Sequence, residues 1–394
     1  MTESKVFVRN ATGLVRAISP FGAFAIGIVG VAISVSVYVN ESLIPALFPR
    51  SNVSLLFAFA LPIVFCWALM YMQFNVAMPR SGADYVWVSR TLNPVIGFLQ
   101  NFYTFFAQTT VIGVIAAVVL LMLVNAFEAA GLAFKSSSIF NISTTISTPV
   151  NITILGTILV LIFAVITASG IRNLQRVVVV LWAYSIIGLI GFIILLLSVS
   201  HAAFVNNFNS AFGTNEVAKI LQTAGQKGYA TGWTIGGTFA ALPFAIEAVL
   251  GFAWATYAGG EMKNIRRSSL MASVVPAMFV SVLFIVFGYA VYNTFGYDFS
   301  SAIGYLYNNF PGAVAAGTGA ASAPVALPFV YSVFMNSNPY LVTFIAFSFP
   351  IGQAASILTS FLLVTRCLFA YSFDRVVPAK FSEVSERFIR QFIP

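Results

Sequence analysis

Eight long apolar runs, almost free of charge, constrain this chain more than any other feature. A helix needs about 20 mostly apolar residues to cross a bilayer. Runs of that length lie near residues 17–39, 53–77, 94–127, 150–170, 174–200, 236–260, 268–294 and 339–373. The third and eighth are long enough to require tilt or extension into water. Of the 394 residues, 59% are hydrophobic and 8% charged, whereas a soluble domain carries roughly 25% charged residues. So few charges cannot cover the surface of a soluble protein of this size. The expected fold class is all-α, a polytopic transmembrane helix bundle whose main solvent is membrane lipid. The chain reads as a single membrane domain over 1–394.

The formal charge of +8 follows from topology rather than from a nucleic-acid partner. With the N-terminus in the cytoplasm, 15 of the 19 Lys and Arg residues fall on the inner side, and Arg50, Lys135, Lys219 and Lys227 fall outside. Such a bias sets orientation. The expected localisation is the cell membrane, multi-pass, with the N-terminus cytoplasmic. The first residues carry Lys5, Arg9 and Arg16 without the pattern of a cleaved signal peptide. The outer connections 128–149, 201–235 and 295–338 are rich in Ser, Thr, Asn, Gly and Ala and read as loops. Cys66 and Cys367 read as small core residues. Together with the one histidine, His201, they offer no zinc ligand set, and no cofactor is expected.

Two of the runs carry marks of interruption. In the first, Gly27 and Gly30 sit near mid-span, flanking Ile28 and Val29. Glycine weakens a helix by roughly 1 kcal/mol against alanine, and it also permits close helix–helix contact; both readings stand. In the sixth run, Glu247 is the one acidic residue placed inside the hydrocarbon, and Gly251 follows one turn later as a candidate break. An ionisable group at membrane depth is a functional candidate by default; Glu247 could pair with a substrate amine or carry a proton, or lie near the rim in water. Phe252, Trp254 and Tyr257 supply aromatic surface to a pocket or to lipid. Runs 1 and 6 are five helices apart. Inverted repeats of five helices would make them symmetry mates crossing at the midplane.

Three further segments carry a resemblance. The stretch Pro79-Arg80-Ser81-Gly82-Ala83-Asp84-Tyr85, continued by Val86-Trp87-Val88-Ser89-Arg90, resembles the cytoplasmic signature of amino acid/polyamine/organocation permeases. Gly260-Glu261-Met262-Lys263-Asn264 is similar to that family's Glu-x-Lys-Asn-Pro motif, with Ile265 in place of the proline. Arg366 to Pro378, with Ala370, Asp374 and Arg375, is similar to its motif after span 8. The resemblance covers nearly the whole chain. It implies an inverted five-helix-repeat (LeuT-like) permease fold with broken helices 1 and 6, the first repeat over about 17–200 and the second over about 236–394. It also implies that a substrate carboxylate meets backbone N–H groups at Gly27, Ile28, Val29 and Gly30. The amino group would meet carbonyls at Val249, Leu250 and Gly251, with Phe252 and Trp254 as pocket or gate side chains.

Departures accompany the resemblance. Gly27-Ile28-Val29-Gly30 lacks the hydroxyl usual in the family's stretch. Ser185 aligns with the span 5 lysine of proton-coupled members. Ser356, Thr359 and Ser360 share one helix face, a possible cation site by likeness to sodium-coupled relatives, or ordinary packing. The family has at least ten core helices, so a chain ending at Pro394 implies an incomplete second repeat, as in a fragment of a longer reading frame.

The resemblance therefore implies a secondary active transporter moving amino acids or related amines by alternating access, with proton or sodium as possible coupling ion. The alternative is a truncated, non-transporting permease-like protein with a binding or regulatory role; substrate flux separates the two. An enzyme is not expected, because Glu247 has no ionisable companion nearby in sequence. A phosphate-binding Gly-rich loop is also missing from the sequence.

Overall fold

The computed structural model describes residues 16–310 and 328–382. Lys5, Arg9, Arg387 and Arg390 lie outside the described residues.

Polar caps start the helices where the apolar runs begin. Ser19 accepts the Gly22 amide at 3.1 Å and is followed by Pro20, the first residue of α1 (Pro20–Gly30). Asn52 caps α3 (Val53–Ala77) through the Leu55 amide at 3.0 Å. Asn93 with Pro94 opens α5 (Pro94–Phe134), Thr148 with Pro149 opens α7 (Pro149–Ala168), and Asn338 with Pro339 opens the last long helix. A short polar side chain takes an otherwise orphan amide, and proline at the first helical position has none to lose.

Among the described residues six helices are long and apolar enough to cross a membrane: α3, α5, α7, α8 (Ile171–Ser198), Ile265–Phe295 and Pro339–Phe373. The first and sixth runs fail that test because each is interrupted. The first divides into α1 and α2 (Ile33–Leu47). The interruption falls at Val31 and Ala32, just past Gly30 rather than at Gly27, and Ala32 takes the left-handed conformation with φ 54°. The sixth divides into α11 (Ile235–Ala240), α12 (Leu242–Val249) and a 3-10 helix over Leu250–Tyr257. The seventh also has a joint, at Ser273 between α13 (Ile265–Ala272) and α14 (Val274–Phe295).

The runs pack in a definite pattern. α1 lies on the Leu250–Tyr257 segment, α3 on α14, and α5 on α16 (Pro339–Phe373). Each pair joins a run to the run five places later. α16 also packs along α8 and is the most enclosed of the long helices. α7 is the least enclosed and turns Ile154, Ile158, Leu161 and Val165 outward, an apolar belt suited to lipid.

The connections expected to be outer loops contain helices among the described residues. These are α6 (Ser137–Ile146), α9 (His201–Phe212), α10 (Glu216–Gln226) and α15 (Tyr297–Asn309). Caps at Ser136 and Ser200 start two of these. Phe204, Phe208, Phe295, Phe299 and Tyr331 then form an aromatic cluster under α9, with Phe204 and Phe295 ring centroids 4.5 Å apart. Aromatic burial on this scale overrides weak helix propensity. His201 Nδ1 lies 3.0 Å from the Thr294 carbonyl oxygen, a structural contact at the same end. Cys367 is buried, but Cys66 is exposed on the outside of α3, contrary to its expected place in the core.

Candidate functional site

The two interruptions touch. A Cβ on Gly30 would overlap the Gly251 carbonyl oxygen, and a Cβ on Gly251 would overlap the Gly30 carbonyl and the Val31 amide. No side chain lies between them, so backbone meets backbone. The same hypothetical Cβ at Gly30 would stand 2.8 Å from Trp254 Cδ1, which places the Trp254 indole against the junction. Gly27 serves a different contact. It faces the Ala272 carbonyl oxygen of α13, where a Cβ would approach to 2.6 Å.

Backbone accounting shows what the amides expected to meet a carboxylate are doing. Gly27, Ile28, Val29 and Gly30 belong to the last turns of α1, so their amides point into that helix's own ladder. The chain then tightens, with Val31 N donating to Ile28 O at 3.1 Å and Ala32 N to Val29 O at 2.9 Å. The first-turn amides of α2, from Ile33 onward, have no partner within their own helix, and Ala32 supplies no side-chain cap. That turn carries the positive pole of α2. In the sixth run Val249 and Leu250 keep helical dihedrals. The change there is one of pitch, from α to 3-10, rather than an unwound stretch. An eight-residue 3-10 helix is long for its kind, and such segments mark hinges.

A narrow cavity of about 20 Å³ adjoins the junction. Ile28, Val29 and Ile33 wall one side, Trp182, Ser185 and Leu189 of α8 another, and Gly352 of α16 closes it. That volume holds roughly one water molecule. Ser185, read in sequence as the counterpart of a lysine, is on this wall.

Other expected site residues lie elsewhere. Phe252 is fully buried against α3, its ring 5.5 Å from Trp67 and 5.9 Å from Tyr71, edge to face. Glu247 is exposed on α12. Ser356, Thr359 and Ser360 are buried on α16. Ser356 donates to Gln353 O at 2.6 Å and Thr359 to Ser356 O at 2.9 Å, while Ser360 donates to Gln108 Oε1 at 3.2 Å. Sequence reasoning missed Glu41, which α2 carries into the interior at 3% exposure. The signal was available: Glu41 follows the first apolar run by two residues, and that helix runs on to Leu47.

The three signature segments converge at one end of the bundle. Glu261, 2% exposed, receives Arg366 Nε at 2.5 Å and Nη2 at 3.0 Å, which ties the end of run 6 to α16. Ile18 N donates to Glu261 O at 3.0 Å and Lys263 N to Ile18 O at 2.9 Å, a short parallel bridge that fastens the start of run 1. Gly82 N donates to Tyr257 O at 3.0 Å. Asp84, at the start of α4 (Asp84–Thr91), accepts from Gln100 at 2.5 Å and Asn101 at 2.7 Å, and Tyr371 donates to Asn101 Oδ1 at 2.6 Å. Burial raises the Asp84 carboxyl above the usual carboxylate range, although hydrogen bonds from Tyr257, Gln100, Asn101 and the Tyr85 amide oppose the shift. Burial likewise raises the Tyr85 phenol, which donates to Asp374 at 2.7 Å.

Comparison with known proteins agrees with this arrangement. The amino acid permease family profile matches residues 18–392, nearly the whole chain. No curated protein matches it. The signature loop after α3, the Glu261 segment and the Arg366 segment thus meet in space as one tie between runs 1, 2, 6 and 8, and the chain belongs to the amino acid permease family, whose members are integral membrane transporters of amino acids.

Proposed function

We propose that this protein is a secondary active transporter carrying amino acids across the cell membrane by alternating access, with the end that holds Asp84, Glu261 and Arg366 in the cytoplasm. The single observation that carries the reading is the contact of the two interrupted runs at Gly30 and Gly251. Neither α1, at 11 residues, nor α12, at eight, spans a bilayer alone. Each ends beside the other, which suits a binding site at mid-depth. The lysine and arginine bias of the sequence supports the orientation, because 15 of the 19 fall on the inner side when the N-terminus is cytoplasmic. The pairing of runs 1, 2 and 3 with runs 6, 7 and 8 supports an inverted repeat.

The substrate carboxylate is taken by the amides of the first α2 turn, from Ile33, because unengaged N–H groups and a positive helix pole favour an anion. The amino group is taken by the carbonyls of Val249, Leu250 and Gly251 where α12 passes into the 3-10 helix, each carbonyl oxygen keeping a second lone pair for a donor. Ile28, Val29, Trp182 and Leu189 make the adjoining wall apolar, which suits a neutral amino acid with an aliphatic side chain. The cavity beside the junction is far too small for an amino acid. Substrate must part Gly30 from Gly251, and closure around it moves α1 and the Leu250–Tyr257 segment against α5, α8 and α16.

Thermal melting of the detergent-solubilised protein tests the site chemistry. A ligand at 100 times its Kd stabilises the native state by about 2.7 kcal/mol. Neutral aliphatic amino acids should raise the melting temperature, while the matching amino acid amides and decarboxylated amines should not. Equal protection by the amines would remove the carboxylate from the α2 turn.

A further inference from the structure

Glu41 has a setting that none of the preceding roles accounts for. It lies on α2, in the half of run 1 away from the signature cluster, at 3% exposure. Neither carboxyl oxygen has a hydrogen-bond partner among the described residues. Its neighbour Asn40, at 2% exposure, is in the same position with both amide atoms. The absent Cβ of Gly288 on α14 leaves the room that Glu41 occupies; a Cβ there would stand 3.1 Å from Glu41 Oε1 and 3.1 Å from the Ser54 amide.

The surrounding groups offer no counter-charge. On α14 the phenol of Tyr292 is the titratable neighbour that feels the Glu41 charge, and its oxygen already accepts the Val53 amide at 3.1 Å. On α3 the Ser54 hydroxyl donates to Ile285 O at 2.8 Å. On α15, Asp298 is held by the Gly232 amide at 2.7 Å and Tyr297 donates to Ser51 O at 3.1 Å. On α12, Glu247 is exposed. On α16 the one cation, Arg366, is bound to Glu261 at the opposite end. An ionised carboxylate enclosed without a partner is strongly disfavoured, and a neutral acid is the form that fits.

We propose that Glu41 is a proton-binding site of the transport cycle. This rests on the alternating-access reading above. When α2 stands apart from α14, outer water reaches Glu41 as the carboxylate. When α2 closes against Gly288, the carboxylate takes one proton from that outer water and becomes the neutral acid. When the Gly30–Gly251 junction then parts toward the other face, the O–H bond breaks, the proton leaves to water on the inner side and the carboxylate is restored. One proton therefore enters per cycle, and an acidic outside drives substrate inward.

The test uses the full chain in proteoliposomes, with labelled leucine as probe, and compares wild type with E41Q and E41D. Two readouts are taken: accumulation driven by an acidic exterior, and counterflow against internal unlabelled leucine, which needs no net proton movement. Wild type should accumulate label severalfold over the no-gradient level. E41Q, which matches the neutral acid and cannot titrate, should lose that accumulation while counterflow persists; E41D, which titrates, should keep both. Gradient-driven accumulation by E41Q equal to wild type overturns the proposal. Wild-type counterflow with no response to the gradient also overturns it and leaves the transport reading intact. Absence of wild-type counterflow with any neutral amino acid overturns the transport reading and the proton site with it. Should E41Q fail to fold, E41A takes its place: a folded E41A that loses the gradient response and keeps counterflow supports the proposal, and full retention of both by a folded E41A overturns it.

Discussion

The Gly30–Gly251 junction makes a strong demand on one methyl group. In G251A the new Cβ would press on Gly30 O, Gly30 C and Val31 N, all backbone atoms that cannot rotate aside as the end of a long side chain can. Overpacking a closed contact costs about 1–3 kcal/mol. On the proposed mechanism that cost falls only on states in which the two runs touch. It shifts the balance between closed and parted states by roughly 5–150-fold. The assay is the initial rate of amino acid counterflow in proteoliposomes, paired with melting temperature in detergent. G191A is the control, because nothing lies within 4 Å of the position its Cβ would take on α8. G251A should melt below wild type and slow counterflow at least fivefold, while G191A should change neither by much. A G251A protein that melts and transports like G191A would refute the claim that backbone contact at this junction governs the cycle.

Other parts of the structure make separate demands. R366M strands the buried Glu261 carboxylate, a loss of about 3–5 kcal/mol, and E261Q added to R366M should recover most of the melting temperature; equal loss in single and double variants would show that the pair is not the cause. Ala32 holds a left-handed conformation that costs an L-residue roughly 1–2 kcal/mol, so A32G should raise the melting temperature by the equivalent of about 1 kcal/mol after the extra chain entropy of glycine, and a fall would contradict the strain. Burial holds the Asp84 carboxyl above its ordinary 3.8, so the folded chain binds that proton more tightly than the unfolded chain. Its contribution to stability is full below pH 3.8 and is lost as pH rises through the folded value; D84N should flatten that part of the stability–pH curve, and an unchanged slope would remove Asp84 as its source.

The long apolar runs were legible because hydropathy over 20 residues records a single strong requirement, burial of every backbone polar group in lipid. Runs 2, 7 and 8 lie within three residues of their expected ends. The interruption of run 1 was legible as a fact but not as a place. Glycines drew attention to residues 27 and 30, yet both serve close packing against other backbone, and the left-handed turn is taken by Ala32. Local propensity names residues that tolerate a bend, whereas tertiary contact decides which one bends. Phe252 and Trp254 were alike in sequence, and the 3-10 pitch separates them, one into α3 and the other onto Gly30. The same failure hid Glu41, because the second half of the interrupted run extends beyond its apolar core and a carboxylate there reads as a loop residue. The helices α6 and α9 of the connections were obscured by Ser, Thr and Asn, which act there as caps and, on α9, as exposed faces over a buried aromatic cluster.

The central claim is that this chain moves amino acids through a site at the meeting of runs 1 and 6. Counterflow tests it most directly. Proteoliposomes holding the purified protein are loaded with a mixture of unlabelled neutral amino acids and diluted into labelled ones, beside protein-free vesicles. The account predicts saturable label uptake that requires internal amino acid and is strongly reduced by G251A. Uptake no greater than in protein-free vesicles, with the protein folded and inserted, would contradict it.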